Sequence, residues 1–173
     1  MESSRVSPGA DARLRQCRRG GGASATRDDV FAAESFALAR SETFAGALVS
    51  VDGITVDSSI AEPVRALLLA AESDGVSLAG SGHRSAEAQI ELRRAHCGTS
   101  HYAVFDMPAE ACSPPTARPG QSMHERGLAI DFTCAGRLVR RDDRCYGWLS
   151  AHAVGFGLSN LPSEPWHWSV NGR

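Results

Sequence analysis

The stretch SMHERGLAIDF at residues 122–132 decides the fold, and the stretch EPWHW at residues 164–168 complements it near the end of the chain. The apolar part of the first stretch, LAIDF, contains β-branched and aromatic residues and predicts a strand in a buried sheet. A carboxylate in such a strand is costly unless it is paired or binds a cation, so Asp131 needs a partner. His124 precedes the strand, and Gly127 permits the turn that brings His124 and Asp131 together.

The second stretch contributes another histidine. In an extended segment Trp166 and Trp168 point to one face and His167 points to the other, so the indoles can anchor the strand while the imidazole faces a cleft. Two imidazoles and one carboxylate, with a fourth position left open, are typical of a catalytic zinc site. We therefore predict that His124, Asp131 and His167 hold one zinc ion per chain.

Glu164 is a spare carboxylate three residues before His167, which suits a general base rather than a metal ligand. The zinc site has alternatives when each residue is taken alone: Asp131 as a structural carboxylate paired with an arginine, and His167 as a hydrogen-bonded core histidine. The segment after His124 is not the HExxH zinc helix, because Leu128 stands four residues after it.

Three motifs together resemble the zinc D,D-carboxypeptidases and dipeptidases related to VanY and VanX, also called LAS peptidases. The matching residues are the pattern S-x-H-x-x-G-x-A-x-D at 122–131, EPWH at 164–167, and SGHRS at 81–85 with Gln89. The motifs occur in the family's order and span roughly residues 46–170. The chain has His83 where the family usually has Tyr or Phe.

The resemblance implies an α+β fold, with a small antiparallel sheet flanked by helices, of the LAS/hedgehog type. It implies a zinc metallopeptidase that hydrolyses the terminal D-Ala-D-Ala bond of peptidoglycan stem peptides. In the matching positions, the zinc ligands are His124, Asp131 and His167. The general base is Glu164, and Arg84 lies near the scissile carbonyl.

The remaining roles are hypotheses about substrate contacts. Arg84 either stabilises the negative charge of the tetrahedral intermediate or binds the terminal carboxylate of the substrate, because its planar fork suits both; the alternative is an ion pair with a surface acid. Ser122 donates a hydrogen bond to the same carboxylate. Gln89 either hydrogen-bonds the substrate or holds Arg84.

Other functions remain open at this stage. Within the same family they are an L,D-carboxypeptidase, a peptidoglycan endopeptidase and a D-Ala-D-Ala dipeptidase. A non-catalytic zinc-stabilised module that binds cell wall or another protein belongs to a different class. The presence of both Glu164 and Arg84 argues against it, since a structural zinc site needs neither residue.

Length and charge limit the organisation of the chain. With 173 residues we expect one folded domain, and a net charge of -2 gives no reason to expect a nucleic-acid partner. No apolar run approaches the roughly 20 residues that span a bilayer, so we expect no membrane span. We also expect a monomer. Residues 1–26 are rich in Arg, Gly and Ser and predict a disordered tail. Residues 27–45 predict a helical segment, and residues 46–173 the catalytic domain.

Four of the five cysteines lie in the second half of the chain, and four cysteines allow three pairings. Cys97 with Cys112 and Cys134 with Cys145 is the simplest pairing, because each bond closes a short loop. The alternative is four free thiols in a cytosolic protein. Disulfides favour an extracytoplasmic location, although residues 1–26 lack the apolar core of a secretory signal.

Periodicity and turn residues predict the remaining elements. They are a hairpin at 48–56 around Asp52-Gly53, a helix at 61–73, a strand at 76–79, a helix at about 85–96, a long loop at 98–121, and a helix at 146–154.

Overall fold

A computed structural model describes residues 46–173, so the tail predicted at 1–26 and the helical segment predicted at 27–45 lie outside the described residues. The described part has seven strands and three α-helices. The strands are β1 (Leu48–Val51), β2 (Ile54–Asp57), β3 (Leu78–Ser81), β4 (Ala129–Cys134), β5 (Arg137–Leu138), β6 (Ser159–Leu161) and β7 (Glu164–Ser169). The helices are α1 (Ser58–Ser73), α2 (Ala86–Cys97) and α3 (Arg144–His152). None of the helices in residues 46–173 combines the length and apolar character needed to cross a bilayer.

The predicted hairpin is confirmed, and it leads directly into α1. Strands β1 and β2 pair antiparallel, and both Asp52 and Gly53 have positive φ, as a primed two-residue turn requires. Helix α1 begins at Ser58, three residues before the predicted start. The reason is a cap: the Asp57 carboxylate accepts a 2.8 Å hydrogen bond from the amide of Ser59.

The second sheet is antiparallel with the order β3-β4-β7-β6, and β5 pairs with β4. Strand β4, the strand predicted from LAIDF, therefore lies between β3 and β7. Strand β3 begins at Leu78, two residues later than predicted. The preceding Val76 closes α1 instead, because its amide donates a 2.8 Å hydrogen bond to the carbonyl of Ala71.

The hydrophobic core lies between this sheet and helices α1 and α3. The four α1 residues predicted to face it, at positions 64, 67, 68 and 71, are all buried. Opposite them Ile130 and Phe132 are fully buried, and Trp168 is 2% exposed. Helix α3 contributes Trp148 and Leu149. The α+β architecture predicted from the sequence is confirmed.

The loop at 98–121 carries more structure than predicted, because it contains a π-helical turn at Tyr102–Asp106 and a 3-10 turn at Ala109–Ala111. The predicted disulfide pairing is confirmed. Cys97 is bonded to Cys112, and Cys134 to Cys145. The first disulfide joins the end of α2 to the second half of this loop.

Candidate metal centre and active site

His124 lies on a short 3-10 turn, His124–Arg126, just before β4. Gly127 ends this turn with a φ of 68°, and a Cβ at that position would lie 2.6 Å from the amide nitrogen of Asp57. Both the backbone conformation and the close approach of β2 therefore require glycine. The turn predicted at Gly127, which lets the chain bring His124 toward Asp131, is confirmed.

Asp131 and His167 are cross-strand neighbours. They stand directly opposite each other in the antiparallel pair of β4 and β7. Side chains at directly opposed positions project from the same face of the sheet, with Cβ atoms about 4.5–5.5 Å apart. The strand register therefore fixes the distance between these two side chains.

The structure brings all three predicted ligand residues together. Nε2 of His124 lies 3.1 Å from Oδ1 of Asp131 and 3.1 Å from Nδ1 of His167. Nδ1 of His167 lies 3.0 Å from the same Asp131 oxygen. His124 is 3% exposed and His167 is 7% exposed. The three atoms form a small triangle at a largely buried point.

The outer hydrogen bonds decide which nitrogen of each imidazole carries the proton in the neutral form. Nδ1 of His124 lies 2.6 Å from the carbonyl of Gly82, and Nε2 of His167 lies 2.8 Å from the carbonyl of Arg173. Carbonyls only accept, so each outer nitrogen donates. Both inner nitrogens then direct lone pairs toward the Asp131 carboxylate. Three acceptors facing one another need a proton or a metal cation between them.

The dimensions of the triangle fit a zinc ion. Tetrahedral zinc with bonds of about 2.0–2.1 Å holds its ligand atoms about 3.3 Å apart, and the three atoms here are 3.0–3.1 Å apart. Metal-binding histidines usually donate their other ring N–H to a carbonyl or carboxylate, which fixes the tautomer and the ring orientation. His124 and His167 both do so.

The pKa values of Asp131 and His167 are shifted by the contact between the two side chains. Burial alone would raise the pKa of Asp131, but hydrogen bonds from His124 and His167 hold it well below its usual range. Burial alone would lower the pKa of His167, but its bonds to Asp131 and to the Arg173 carbonyl raise it. The two pKa shifts favour the charged forms, the imidazolium of His167 and the carboxylate of Asp131. Metal binding has to displace the imidazolium proton.

Glu164 is the first residue of β7 and lines the same cavity, outside the group of three that could hold a metal. Burial raises the pKa of its carboxyl, and the charge of His167 opposes this effect. A partly buried carboxylate with a raised pKa, beside a cation site, suits proton transfer.

An irregularity in β7 changes the predicted placement of one indole. The pairing with β6 shifts between residues 160 and 161, so strict alternation fails along this part of the strand. Trp168 is buried in the core as predicted. Trp166 instead packs partly against the core and also lines the cavity beside His167.

Arg84 lines the cavity and contacts two of the three predicted metal ligands, His124 and Asp131. Its amide donates a 3.1 Å hydrogen bond to the carbonyl of His124. Its Nη2 lies 3.5 Å from Oδ2 of Asp131, and its Nη1 donates to Oε1 of Gln89 at 2.9 Å. The acid near Arg84 is thus the Asp131 carboxylate itself, not a surface acid.

Gln89 and Ser122, the predicted substrate contacts, are both buried. The Gln89 amide is occupied at both ends, since Nε2 donates to the carbonyl of Ala117 at 2.7 Å while Oε1 accepts from Arg84. The contacts therefore match the alternative that Gln89 holds Arg84. The Ser122 hydroxyl oxygen accepts from the amide of His124 at 3.3 Å, which leaves its proton free to donate into the cavity.

The cavity around these residues has a volume of about 600 Å³. Its lining includes residues 114–117 of the long loop together with Arg84, His124, Asp131, Glu164 and His167. Pockets of about 300–1,000 Å³ are typical of ligand sites.

Arg93 is the main feature of the site region that the sequence analysis missed. It is fully buried on α2, and its guanidinium contacts carbonyls of the long loop. A weak signal was present, because Arg93 follows Gln89 by four residues and therefore shares its helix face. The partners, however, are backbone groups that no side-chain pattern reveals.

Comparison with known proteins gives a consistent result. The sequence model of the family described as VanY: D-alanyl-D-alanine carboxypeptidase matches residues 53–173. Over 136 residues, 70% of the chain, the sequence is 29% identical to a D-alanyl-D-alanine carboxypeptidase of Enterococcus faecalis strain V583. The chain spans half the length of that relative.

Two solved structures resemble the described fold. A variant of the vancomycin resistance D,D-pentapeptidase VanY, from a VanB-type cassette and in complex with Zn(II), is 26% identical with a TM-score of 0.57. The match covers 75% of this chain and 82% of that one. VanYB in complex with D-alanine-D-alanine is 28% identical with a TM-score of 0.59, covering 74% of this chain and 78% of that one. The chain therefore shares the fold of the VanY zinc peptidases.

Proposed function

Because the chain belongs to the VanY family of D-alanyl-D-alanine carboxypeptidases, we propose that residues 46–173 form a zinc-dependent D,D-carboxypeptidase. The enzyme hydrolyses the terminal D-Ala-D-Ala bond of peptidoglycan stem peptides. One observation carries the proposal: the inner nitrogens of His124 and His167 and one oxygen of Asp131 converge within 3.0–3.1 Å. Glu164 and Arg84 line the same cavity.

His124, Asp131 and His167 are the residues that would hold one zinc ion per chain. The spacing of their atoms, the tautomers set by the Gly82 and Arg173 carbonyls, and the Zn(II) complex of the VanY relative support this assignment. Bound zinc supplies Lewis-acid chemistry, acidifying water and polarising a carbonyl.

Glu164 acts as the general base and then as the general acid. Its carboxylate accepts a proton from the attacking water and returns it to the nitrogen of the leaving D-alanine. Burial raises its pKa, which makes the protonated form easier to reach during turnover. Both proton transfers require Glu164 to be ionised when the substrate binds.

Arg84 and Ser122 bind the substrate through hydrogen bonds. The Arg84 guanidinium has a planar fork of N–H donors, suited to a terminal carboxylate or to negative charge on the carbonyl oxygen during attack. Ser122 donates its free hydroxyl proton to the same carboxylate. Both side chains line the cavity, which supports these roles.

The substrate class follows from the family and from the cavity. Names of relatives specify a D,D-pentapeptidase and a complex with D-alanine-D-alanine, and a cavity of about 600 Å³ has room for a peptide end.

We expect the protein to act outside the cytoplasm, because its two disulfides persist best in an oxidising compartment. We also expect it to be a monomer.

The test is incubation of the zinc-loaded protein with four ligands, with products identified by mass. The ligands are a muramyl pentapeptide, the corresponding tetrapeptide, free D-Ala-D-Ala and a cross-linked muropeptide dimer. The expected product is a single D-alanine released from the pentapeptide alone.

Other outcomes select other functions. Cleavage of the tetrapeptide indicates an L,D-carboxypeptidase, cleavage of the free dipeptide a dipeptidase, and cleavage of the dimer an endopeptidase. No cleavage of any ligand by protein that carries one zinc per chain would overturn the enzymatic proposal.

A further inference from the structure

Helix α2 has an unusual buried face. Helices on a protein surface normally bury an apolar stripe, but the two buried residues of α2 are Gln89 and Arg93. They are four residues apart and so lie one above the other on the same side of the helix. Hydrogen bonds therefore take the place that apolar contacts usually hold in fixing this helix.

Arg93 uses its whole guanidinium for this purpose. Nε donates to the carbonyl of Val104 at 3.1 Å, and Nη1 to the carbonyl of Thr116 at 2.5 Å. Nη2 donates to the carbonyls of Ala103 at 2.6 Å and Met107 at 2.8 Å. Within residues 46–173 no carboxylate forms an ion pair with it. The partners of this buried charge in the described residues are these four carbonyls and Sγ of Cys112, which lies 3.2 Å from Nη1.

These carbonyls come from both ends of the long loop at 98–121. Three belong to its first part, and the fourth, on Thr116, belongs to the part that lines the cavity. The Arg93 guanidinium therefore connects the first part of the loop to residue 116 through hydrogen bonds. The disulfide between Cys97 and Cys112 adds a covalent tie between α2 and the same loop.

The loop is in turn connected to Arg84. Ala117 follows Thr116, and its carbonyl accepts from Nε2 of Gln89 at 2.7 Å. The other end of the Gln89 amide accepts from Nη1 of Arg84 at 2.9 Å. Nη2 of Arg84 lies 3.5 Å from the Asp131 carboxylate. A continuous chain of contacts thus runs from Arg93 to the cavity.

We propose that Arg93 is a positioning residue: by fixing residues 116 and 117 it aims Arg84, through Gln89, at the substrate. This inference rests on the proposed function to the extent that Arg84 contacts a peptide substrate. It also predicts something that a purely structural role of Arg93 does not, namely that removing Arg93 matters for turnover mainly while Arg84 is present.

The experiment is a double-mutant cycle. Arg93→Met is compared with the unchanged chain, and Arg93→Met/Arg84→Ala with Arg84→Ala, by kcat/KM on the pentapeptide. We expect a loss of about tenfold in the first comparison and of less than about twofold in the second, as residues that act through each other are not additive. Equal losses in both backgrounds would overturn the proposal.

The matched control is Arg94→Met on the same helix. Arg94 is exposed and pairs with Glu91 at 2.6 Å, and such surface pairs contribute little. Its kcat/KM should match that of the unchanged chain. Zinc content and far-UV circular dichroism should also be the same for all variants, so that a loss of turnover reports on Arg84 and not on the metal or the fold.

A second variant and a second readout keep the proposal testable on its own. If Arg93→Met does not fold, Gln89→Met cuts the same connection closer to Arg84 and should show the same dependence on Arg84. The order of the Arg84 side chain, measured by ¹⁵N relaxation at its Nε, should fall in either variant and stay unchanged in Arg94→Met. Unchanged order would contradict the inference even if no peptide is cleaved, whereas an inactive chain with the expected loss of order would contradict only the proposed function.

Discussion

The cavity has two walls that are stabilised in different ways. The strand wall consists of β4 and β7, which carry Asp131 and His167. It is backed by Ile130, Phe132 and Trp168, all nearly or fully buried. The loop wall consists of α2 and residues 98–121. It buries the small apolar side chains of Ala103 and Val104, and it is fixed by the hydrogen bonds of Gln89 and Arg93 and by the disulfide between positions 97 and 112.

The difference separates two tasks of the site. Metal ligands must be held to within a few tenths of an ångström, and rigid strands backed by a packed core provide this. Arg84, one of the proposed substrate contacts, is connected to the loop wall through Gln89, whose contacts are directional hydrogen bonds. Changes in the strand wall should therefore affect the metal site and lower global stability most, whereas changes in the loop wall should affect substrate recognition and leave β4 and β7 protected.

The largest expected effect is loss of the metal. His167→Ala removes one of the three side chains that would hold zinc, so its zinc content after dialysis should fall from about one per chain to a small fraction. Metal analysis by mass spectrometry measures this. The control is His96→Ala, which removes the histidine lining the loop wall, where its Nδ1 contacts Thr116. That variant should keep its zinc; equal zinc loss in both would contradict the assignment.

The next effect separates chemistry from metal binding. Glu164→Gln keeps the size of the side chain but cannot accept the proton, so kcat on the pentapeptide should fall by about 10²–10⁴-fold. Zinc content should not change. Glu91→Gln, on an exposed glutamate of α2, is the control and should retain full activity. A fully active Glu164→Gln protein would remove Glu164 from the mechanism.

A third prediction concerns the core behind the strand wall. Phe132→Ala leaves a cavity beneath the metal ligands and should lower the free energy of unfolding by about 3–5 kcal/mol. Urea unfolding followed by tryptophan fluorescence gives the value. Phe105→Ala changes the same residue type in the loop wall, where the ring is 40% exposed, and should cost less than about 1 kcal/mol. Similar costs at the two positions would contradict the contrast between the walls.

The smallest expected effect concerns the loop-wall disulfide. The double variant Cys97→Ser/Cys112→Ser removes a bond that closes 15 residues and should lower the free energy of unfolding by about 2–4 kcal/mol. Amide hydrogen exchange should show faster exchange in residues 98–121, while β4 and β7 stay protected. If β4 and β7 lose protection first, the two walls are not independent in the way described.

The same contrast explains how much could be predicted from the sequence. The hairpin around Asp52-Gly53, the buried face of α1 and strand β4 follow from periodicity and turn chemistry, which act locally. The three residues that converge at the centre could be predicted because histidines and a buried aspartate are rare enough to need an explanation, and because their motifs resemble a known family.

The loop wall was not predictable in the same way. Arg93 binds carbonyls, and every residue has one, so no side-chain pattern marks its partners. The placement of Trp166 was missed because alternation assumes a regular strand, and the β6–β7 pairing shifts near residue 160. The start of α1 was missed because Asp57 serves both as the last residue of β2 and as the cap of the helix.

The most direct test of the central claim is X-ray absorption at the zinc edge of the loaded, unmutated protein. Coordination by His124, Asp131 and His167 predicts nitrogen and oxygen neighbours at about 2.0–2.1 Å, with the outer scattering of two imidazoles and no sulfur. A sulfur neighbour at about 2.3 Å, or a spectrum without imidazole scattering, would contradict the account.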